Sequence, residues 1–260
     1  MTSKQRIAHI TKWIKNYATR NRVKTLVVGV SGGIDSAVVS TLSARTGLPV
    51  IAVSMPIRQS RTTHSLSMAH GAWLVENFDN VEHRLVDLTP TFKQFERLFL
   101  DGSELGLANS RARLRMMTLY QIAQDAGGIV VGTGNKVEDF GVGFYTKYGD
   151  GGVDISPIGD CLKTQVWDMG RELGVLADII DAAPTDGLWA DGRTDESQLG
   201  MTYPELEEAM RLDQLGEDHA EIQSLDKTQR SQLRRYREIR ARNLHKMLPI
   251  PVCEIPQDAQ

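Results

Sequence analysis

The junction at residues 25–36 constrains this chain more than any other stretch. A β-branched apolar run, residues 25–30, stops at Ser31-Gly32-Gly33 and passes directly into the helical pattern of residues 35–44. Adjacent glycines let the backbone turn tightly and bring its N–H groups close to an anion. The helix that follows points its positive dipole end at the same place. Ser31 and Ser36 add hydroxyl donors. Asp35 repels a phosphate, so a carboxylate here makes sense if Mg²⁺ stands between the two. An ordinary glycine-rich turn capped by Asp35 and Ser36 is the plain alternative, and two glycines alone would not exclude it. The whole string, Gly29-Val30-Ser31-Gly32-Gly33-Ile34-Asp35-Ser36, favours a phosphate loop. It lacks the lysine of GxxxxGK[ST], and the chain has no GxGxxG fingerprint, which argues against hydride transfer with a nicotinamide cofactor.

Around this junction, strand and helix patterns alternate. Ile7, Ile10, Ile14 and Tyr17 form a helical stripe. Strands are expected at residues 50–54, 84–87 and 128–132, and helices at 69–77 and 108–125. Continuous apolar strands between helices imply an α/β fold, a parallel sheet flanked by helices on both faces. Residues 132–159 form a long glycine-rich loop without a period, and such loops are usually functional. Helices are then expected at 163–173, 203–212 and 227–244, with a turn at Pro184-Thr185-Asp186-Gly187 and a polar stretch over 190–200. The last helix carries Lys227, Arg230, Arg234, Arg235, Arg237, Arg240 and Arg242 around Leu233, Tyr236 and Ile239, the pattern of a solvated amphipathic helix. A single domain over 1–260 with a helical C-terminal part is the simplest account.

Thirty Lys and Arg against 33 Asp and Glu give a net charge of -3, too little basic excess for a chain that wraps nucleic acid. No apolar run approaches the roughly 18 residues of a membrane span. Cys161 and Cys253 are far apart, so neither a disulfide scaffold nor a CxxC metal site is expected, and a cytoplasmic location follows. Neither thiol is placed as a nucleophile, and both are read as packing residues.

Ser31-Gly32-Gly33-Ile34-Asp35-Ser36 resembles the pyrophosphate loop of the ATP pyrophosphatase superfamily, whose members adenylate a substrate. Three further strings select a member. They are Asn109-Ser110-Arg111-Ala112-Arg113-Leu114-Arg115-Met116, Gly132-Thr133-Gly134-Asn135-Lys136-Val137-Glu138, and the run from Phe144-Tyr145-Thr146-Lys147 through Tyr148-Gly149-Asp150-Gly151-Gly152-Val153-Asp154. In this order and spacing they are similar to the ammonia-dependent NAD synthetases, with a Rossmann-like fold of the adenine nucleotide alpha-hydrolase type.

The resemblance implies a ligase that amidates deamido-NAD to NAD with ATP and ammonia through an acyl-adenylate, releasing AMP and pyrophosphate. It implies a homodimer as well. ATP would meet Gly29, Ser31, Gly32, Gly33, Asp35, Ser36, Thr133, Lys163 and Thr185, with Asp35 and Lys163 as the catalytic pair. Deamido-NAD would meet Arg113, Lys147, Asp154, His245 and Lys246. Asp35 and Glu138 would hold Mg²⁺. The segment between Glu138 and Lys147 is one residue longer than the family pattern, which leaves Asp139 as an alternative ligand.

On a helical wheel Arg113 falls beside Met116, Tyr120 and Ala123, the expected buried face, with Arg115 ranked behind it. A lysine at a helix start opposes the dipole, so Lys163 gains most if a phosphate lies opposite. The family tail carries His-Lys-Arg, whereas this chain has His245-Lys246-Met247. The synthetase pattern begins within the first helix and leaves no room for an amidase domain, so free ammonia is the expected donor. Two rival readings are a non-catalytic adenine-nucleotide-binding relative and another amide-forming or thiolating ATP pyrophosphatase.

Overall fold

The computed structural model describes residues 1–185 and 193–255. Four parallel strands stand in the order β3-β2-β1-β4: β1 (Leu26–Gly29), β2 (Val50–Ser54), β3 (Val81–Leu85) and β4 (Ile129–Val130). The chain builds outward from β1 to β3, then returns to place β4 on the other side of β1. The switch point therefore lies between β1 and β4, and ligands of such sheets bind beyond the carboxyl ends of the strands there.

Alternation along the strands divides the core. Leu26 and Val28 face a layer made by α1 (Ser3–Arg20), α2 (Ile34–Ala44), α3 (Arg61–Asn77) and α6 (Lys163–Leu173). Val27, Ile51 and Val53 face α4 (Thr89–Glu96) and α5 (Glu104–Asp125) through Phe92 and Ala123. Helix α1 starts at a capping box between Thr2 and Gln5 and buries Ile7, Ile10 and Ile14. Each of those side chains contributes about 2 kcal/mol of apolar burial, and a charge at Ile14 would undo the packing.

The C-terminal part is helical. It comprises α7 (Ala177–Ile180), α8 (Asp195–Leu199), α9 (Tyr203–Asp213), α10 (Ala220–Ser224) and α11 (Lys227–Met247). A π-helix, Lys136–Val142, packs into this part, and its Val137 and Val142 share a core with Tyr203, Leu206, Tyr236 and Ile239. Trp167 touches both this core and the sheet's. Among the described residues no helix is long and apolar enough to cross a membrane.

Several expectations shift. The third strand is Val81–Leu85 rather than 84–87. It is an edge strand with only Val81 buried, so pairing with β2 sets its limits and side-chain pattern does not. Helix α3 begins eight residues earlier than expected, at a cap where Ser60 Oγ accepts the Thr63 N–H. The stretch 132–159 is not all loop, because it contains the π-helix. Cys161 is buried and packs in the core, but Cys253 is exposed, so the packing reading fails for Cys253. The turn expected at Asp186-Gly187 and the start of the polar stretch at Ala190 lie outside the described residues.

Candidate active site

β1 delivers the loop Ser31–Ser36 to the switch point. Gly32 has φ +92°, and a Cβ there would meet Thr63 O at 2.6 Å, so the position requires glycine. The two serines hold the turn: Ser31 Oγ lies 3.0 Å from Ser36 Oγ and accepts the Gly33 N–H at 3.2 Å. Ser36 Oγ donates to Gly33 O. Behind them the first-turn N–H groups of α2, beginning at Ile34, have no acceptor within the helix, which suits an anion.

Three elements converge beside this loop. Asp35 stands in the first turn of α2, Glu138 in the π-helix after β4, and Lys163 at the first position of α6. Lys163 Nζ donates to Asp35 Oδ2 at 2.5 Å and to Glu138 Oε1 at 2.9 Å. Its side chain is 3% exposed, those of Asp35 and Glu138 17% and 16%. The charge opposite the helix-start lysine is a carboxylate pair.

Burial, reinforced by the Glu138 charge, raises the Asp35 pKa in spite of Lys163. Burial also works to raise Glu138, but the Lys163 ammonium and the hydrogen bonds from Tyr203 and Lys163 prevail and hold it low. Burial works against the Lys163 charge, and the two carboxylates outweigh it, so its pKa is raised.

Two residues without an expected role complete the cluster. Asn135, fully buried, donates Nδ2 to Asp35 Oδ1 at 3.1 Å. Its Oδ1 accepts the N–H groups of Val137 and Glu138, so one side chain starts the π-helix and fixes Asp35. Tyr203, also fully buried, donates its hydroxyl to Glu138, lies 3.2 Å from Asp195 Oδ2, and sets its ring 4.8 Å from Lys163 Nζ. An Asn opening a helix is a readable cap signal. Nothing in the sequence around Tyr203 betrays its hydroxyl.

The pair fits Mg²⁺. Both carboxylates aim oxygens at one point where a cation, the lysine ammonium, already sits. Among the described residues no three His, Cys, Asp or Glu side chains gather as a cage. Two carboxylates are what Mg²⁺ takes when substrate phosphates complete its shell. Asp139 is the poorer candidate. Its carboxylate packs against Gly134, where a Cβ would come within 1.8 Å of Oδ2, whereas Lys163 bonds Asp35 and Glu138. Burial and then the Glu138 charge push its pKa well up.

Thr133 follows β4 at the same mouth, and Thr185 Oγ1 donates to Arg193 O at 3.1 Å. The residues assigned to deamido-NAD form a second group. Lys147 Nζ donates to His245 O at 3.0 Å, and Lys246 Nζ donates to Gly143 O and Tyr145 O, so the two lysines clasp loop and helix end reciprocally. Arg113 Nε reaches Lys147 O at 3.3 Å. Asp154 accepts the Val130 N–H at 2.7 Å and the Tyr120 hydroxyl.

One expectation reverses. Arg113 is exposed, and it lines an open cavity of about 530 Å³ with Met116, Tyr120 and Gln124. The more buried arginine is Arg115, which donates to Met55 O and whose pKa burial lowers to about 10. The wheel misled because Met116 and Tyr120 themselves line this open face.

The sequence model of a family described as NAD synthase matches residues 6–249. The chain belongs to the NAD synthase family. An NH3-dependent NAD+ synthetase of Methanosarcina acetivorans is 34% identical over 249 residues, covering 95% of this chain and 96% of that protein. The structure of an NMN synthetase from Francisella tularensis matches with a TM-score of 0.84 and 31% identity over 99% of both chains. An NH3-dependent NAD synthetase from Campylobacter jejuni matches with a TM-score of 0.79 at 24% identity, covering 98% and 100%, which speaks for the fold alone. NAD synthase membership carries the parallel sheet and its helical C-terminal part onto known ground.

Proposed function

We propose that this chain makes NAD from deamido-NAD, ATP and ammonia, with the whole of 1–260 as one unit. The observation that carries the reading is the convergence of Asp35 and Glu138 on Lys163 beside the Ser31–Ser36 loop. The loop's N–H groups and hydroxyls receive the phosphates. Asp35 and Glu138 would hold Mg²⁺, which when bound neutralises phosphate charge. Lys163, which stands beside the same loop, would add its positive charge to the phosphates.

The nicotinate carboxylate then attacks the α-phosphorus, pyrophosphate leaves, and ammonia displaces AMP from the acyl-adenylate. No nucleophilic side chain is needed, since positioning and charge neutralisation lower the barrier. Cys161 is unsuited to such a role, because burial raises its pKa.

Arg113, Lys147, Asp154, His245 and Lys246 are proposed to hold deamido-NAD, and Thr133 and Thr185 to contact ATP. Lys147 and Lys246 would exchange backbone carbonyls for substrate groups on binding. A homodimer with the dinucleotide near the subunit interface is proposed as well, since the cavity beside Arg113 is open and would leave a long substrate uncovered. Sedimentation of the active protein as a monomer would remove that part.

A second reading keeps the chemistry and shortens the acceptor, because the Francisella relative is an NMN synthetase. Incubation with ATP, ammonium and either deamido-NAD or the deamidated mononucleotide separates the two. Preferential formation of NAD supports the first reading, and preferential formation of NMN the second. No AMP with either acceptor would leave a non-catalytic nucleotide binder.

A further inference from the structure

A π-helix bonds each N–H to the carbonyl five residues back and so holds an extra residue per turn. Its last carbonyls find no partner within it. In this chain α11 supplies the partners. Arg240 Nη1 donates to Phe140 O at 2.5 Å and to Gly141 O at 2.7 Å. Asn243 Nδ2 donates to Val142 O at 2.9 Å. Lys246 Nζ continues the row to Gly143 O and Tyr145 O.

Residues 240, 243 and 246 lie at three-residue steps, one stripe of the helix. The approach is close. A Cβ at Gly143 would meet Asn243 Cβ at 2.6 Å, and Gly143, with φ +66°, ends the π-helix in the left-handed region. At the opposite end, Asn135 Oδ1 holds the N–H groups of Val137 and Glu138. The segment carrying Glu138 is pinned at both ends, and its C-terminal pins come from a helix a hundred residues away.

We propose that Arg240 and Asn243 are positioning residues that keep this segment in its π register, so that Glu138 rather than Asp139 faces Asp35. The proposal rests on the reading of Glu138 as a metal ligand. Rewound as an α-helix, the segment would shift by one residue's arc, about 100°. That arc is enough to exchange adjacent carboxylates at the site. Arg240 bridges the two successive carbonyls through one nitrogen, Nη1, whose position the planar guanidinium fixes more firmly than a flexible lysine stem would.

The test is Mn²⁺ binding in the presence of ATP, followed by calorimetry and by the paramagnetic resonance of bound Mn²⁺, with no turnover involved. In the unaltered chain, Glu138→Gln should weaken Mn²⁺ binding at least tenfold and Asp139→Asn less than twofold. In an Arg240→Ala/Asn243→Ala background, Mn²⁺ binding should fall at least fivefold. Asp139→Asn should then cost as much as Glu138→Gln. Asn243→Ala alone, a milder change, should move both quantities in the same direction if the double variant does not fold.

Arg240→Lys should restore only part of the affinity. A folded Asn243→Ala or double variant with unaltered Mn²⁺ affinity and unaltered dependence on Glu138 would overturn the proposal. Glu138→Gln without effect in the unaltered chain would instead overturn the metal-ligand reading beneath it.

Discussion

Lys163 Nζ lies 2.5 Å from Asp35 Oδ2, an ion pair joining the first turns of two helices 128 residues apart in sequence. The pair satisfies a buried ammonium, and Glu138 adds a second carboxylate to the same ammonium. Truncating the lysine would leave two carboxylates facing each other without it. We expect Lys163→Met to lose about 3 kcal/mol of stability. Added Mg²⁺ should raise the melting temperature of the variant more than that of the unaltered chain, because the ion replaces the lost charge. Equal Mg²⁺ effects in thermal unfolding would separate Lys163 from the metal site.

Asp35→Asn keeps the shape and removes one charge. The fold should survive, as circular dichroism and sedimentation would report. Turnover should fall more than a hundredfold, the consequence of losing about 3 kcal/mol of charge stabilisation in the transition state. Unaltered turnover with a normal Mg²⁺ requirement would remove Asp35 from the site.

Tyr203 holds Glu138 by its hydroxyl and Lys163 by its ring. Tyr203→Phe keeps the ring and deletes the donor. The Mg²⁺ concentration for half-maximal rate should rise about tenfold, while the KM for deamido-NAD changes less than twofold. A change in the KM for deamido-NAD alone would place Tyr203 at the other end of the site.

His70 sets a pH limit away from the chemistry. Fully buried on α3, it pairs Nε2 with Ser40 Oγ at 2.9 Å and stacks on Trp73. Burial lowers its pKa to about 4, against an ordinary 6.5. The unfolded chain therefore takes up a proton below pH 6.5 that the folded chain refuses. Stability should fall as pH drops from 6.5 towards 4, by about 3 kcal/mol for this group. In denaturant titrations His70→Gln should flatten that slope by up to one proton. An identical slope would show that other groups carry it.

How legible the molecule is in its sequence depends on whether a residue acts through a local rule. The β1–α2 junction is local: strand pattern, adjacent glycines and helix start are contiguous, and Asp35 and Ser36 stand where they imply. The alternation of strands with helices likewise yields the parallel sheet. Edge strand β3 is poorly legible because its limits come from pairing with β2 and not from its own side chains. The π-helix is illegible because its partners, Arg240 and Asn243, lie a hundred residues away on a helix whose pattern is merely amphipathic. Arg113 and Arg115 exchange burial because a helical wheel cannot tell an apolar face turned to the core from one turned to an open cavity.

On the proposed reading, the loop, the carboxylate pair and Lys163 together adenylate a carboxylate. Deamido-NAD carrying ¹⁸O in both nicotinate carboxylate oxygens tests this directly. Attack on the α-phosphorus makes one of those oxygens the bridge of the acyl-adenylate, and ammonia then expels it with AMP. Mass spectrometry should find one ¹⁸O in each AMP and one in the amide of the NAD formed. AMP without ¹⁸O, or label in phosphate or pyrophosphate instead, would contradict the account.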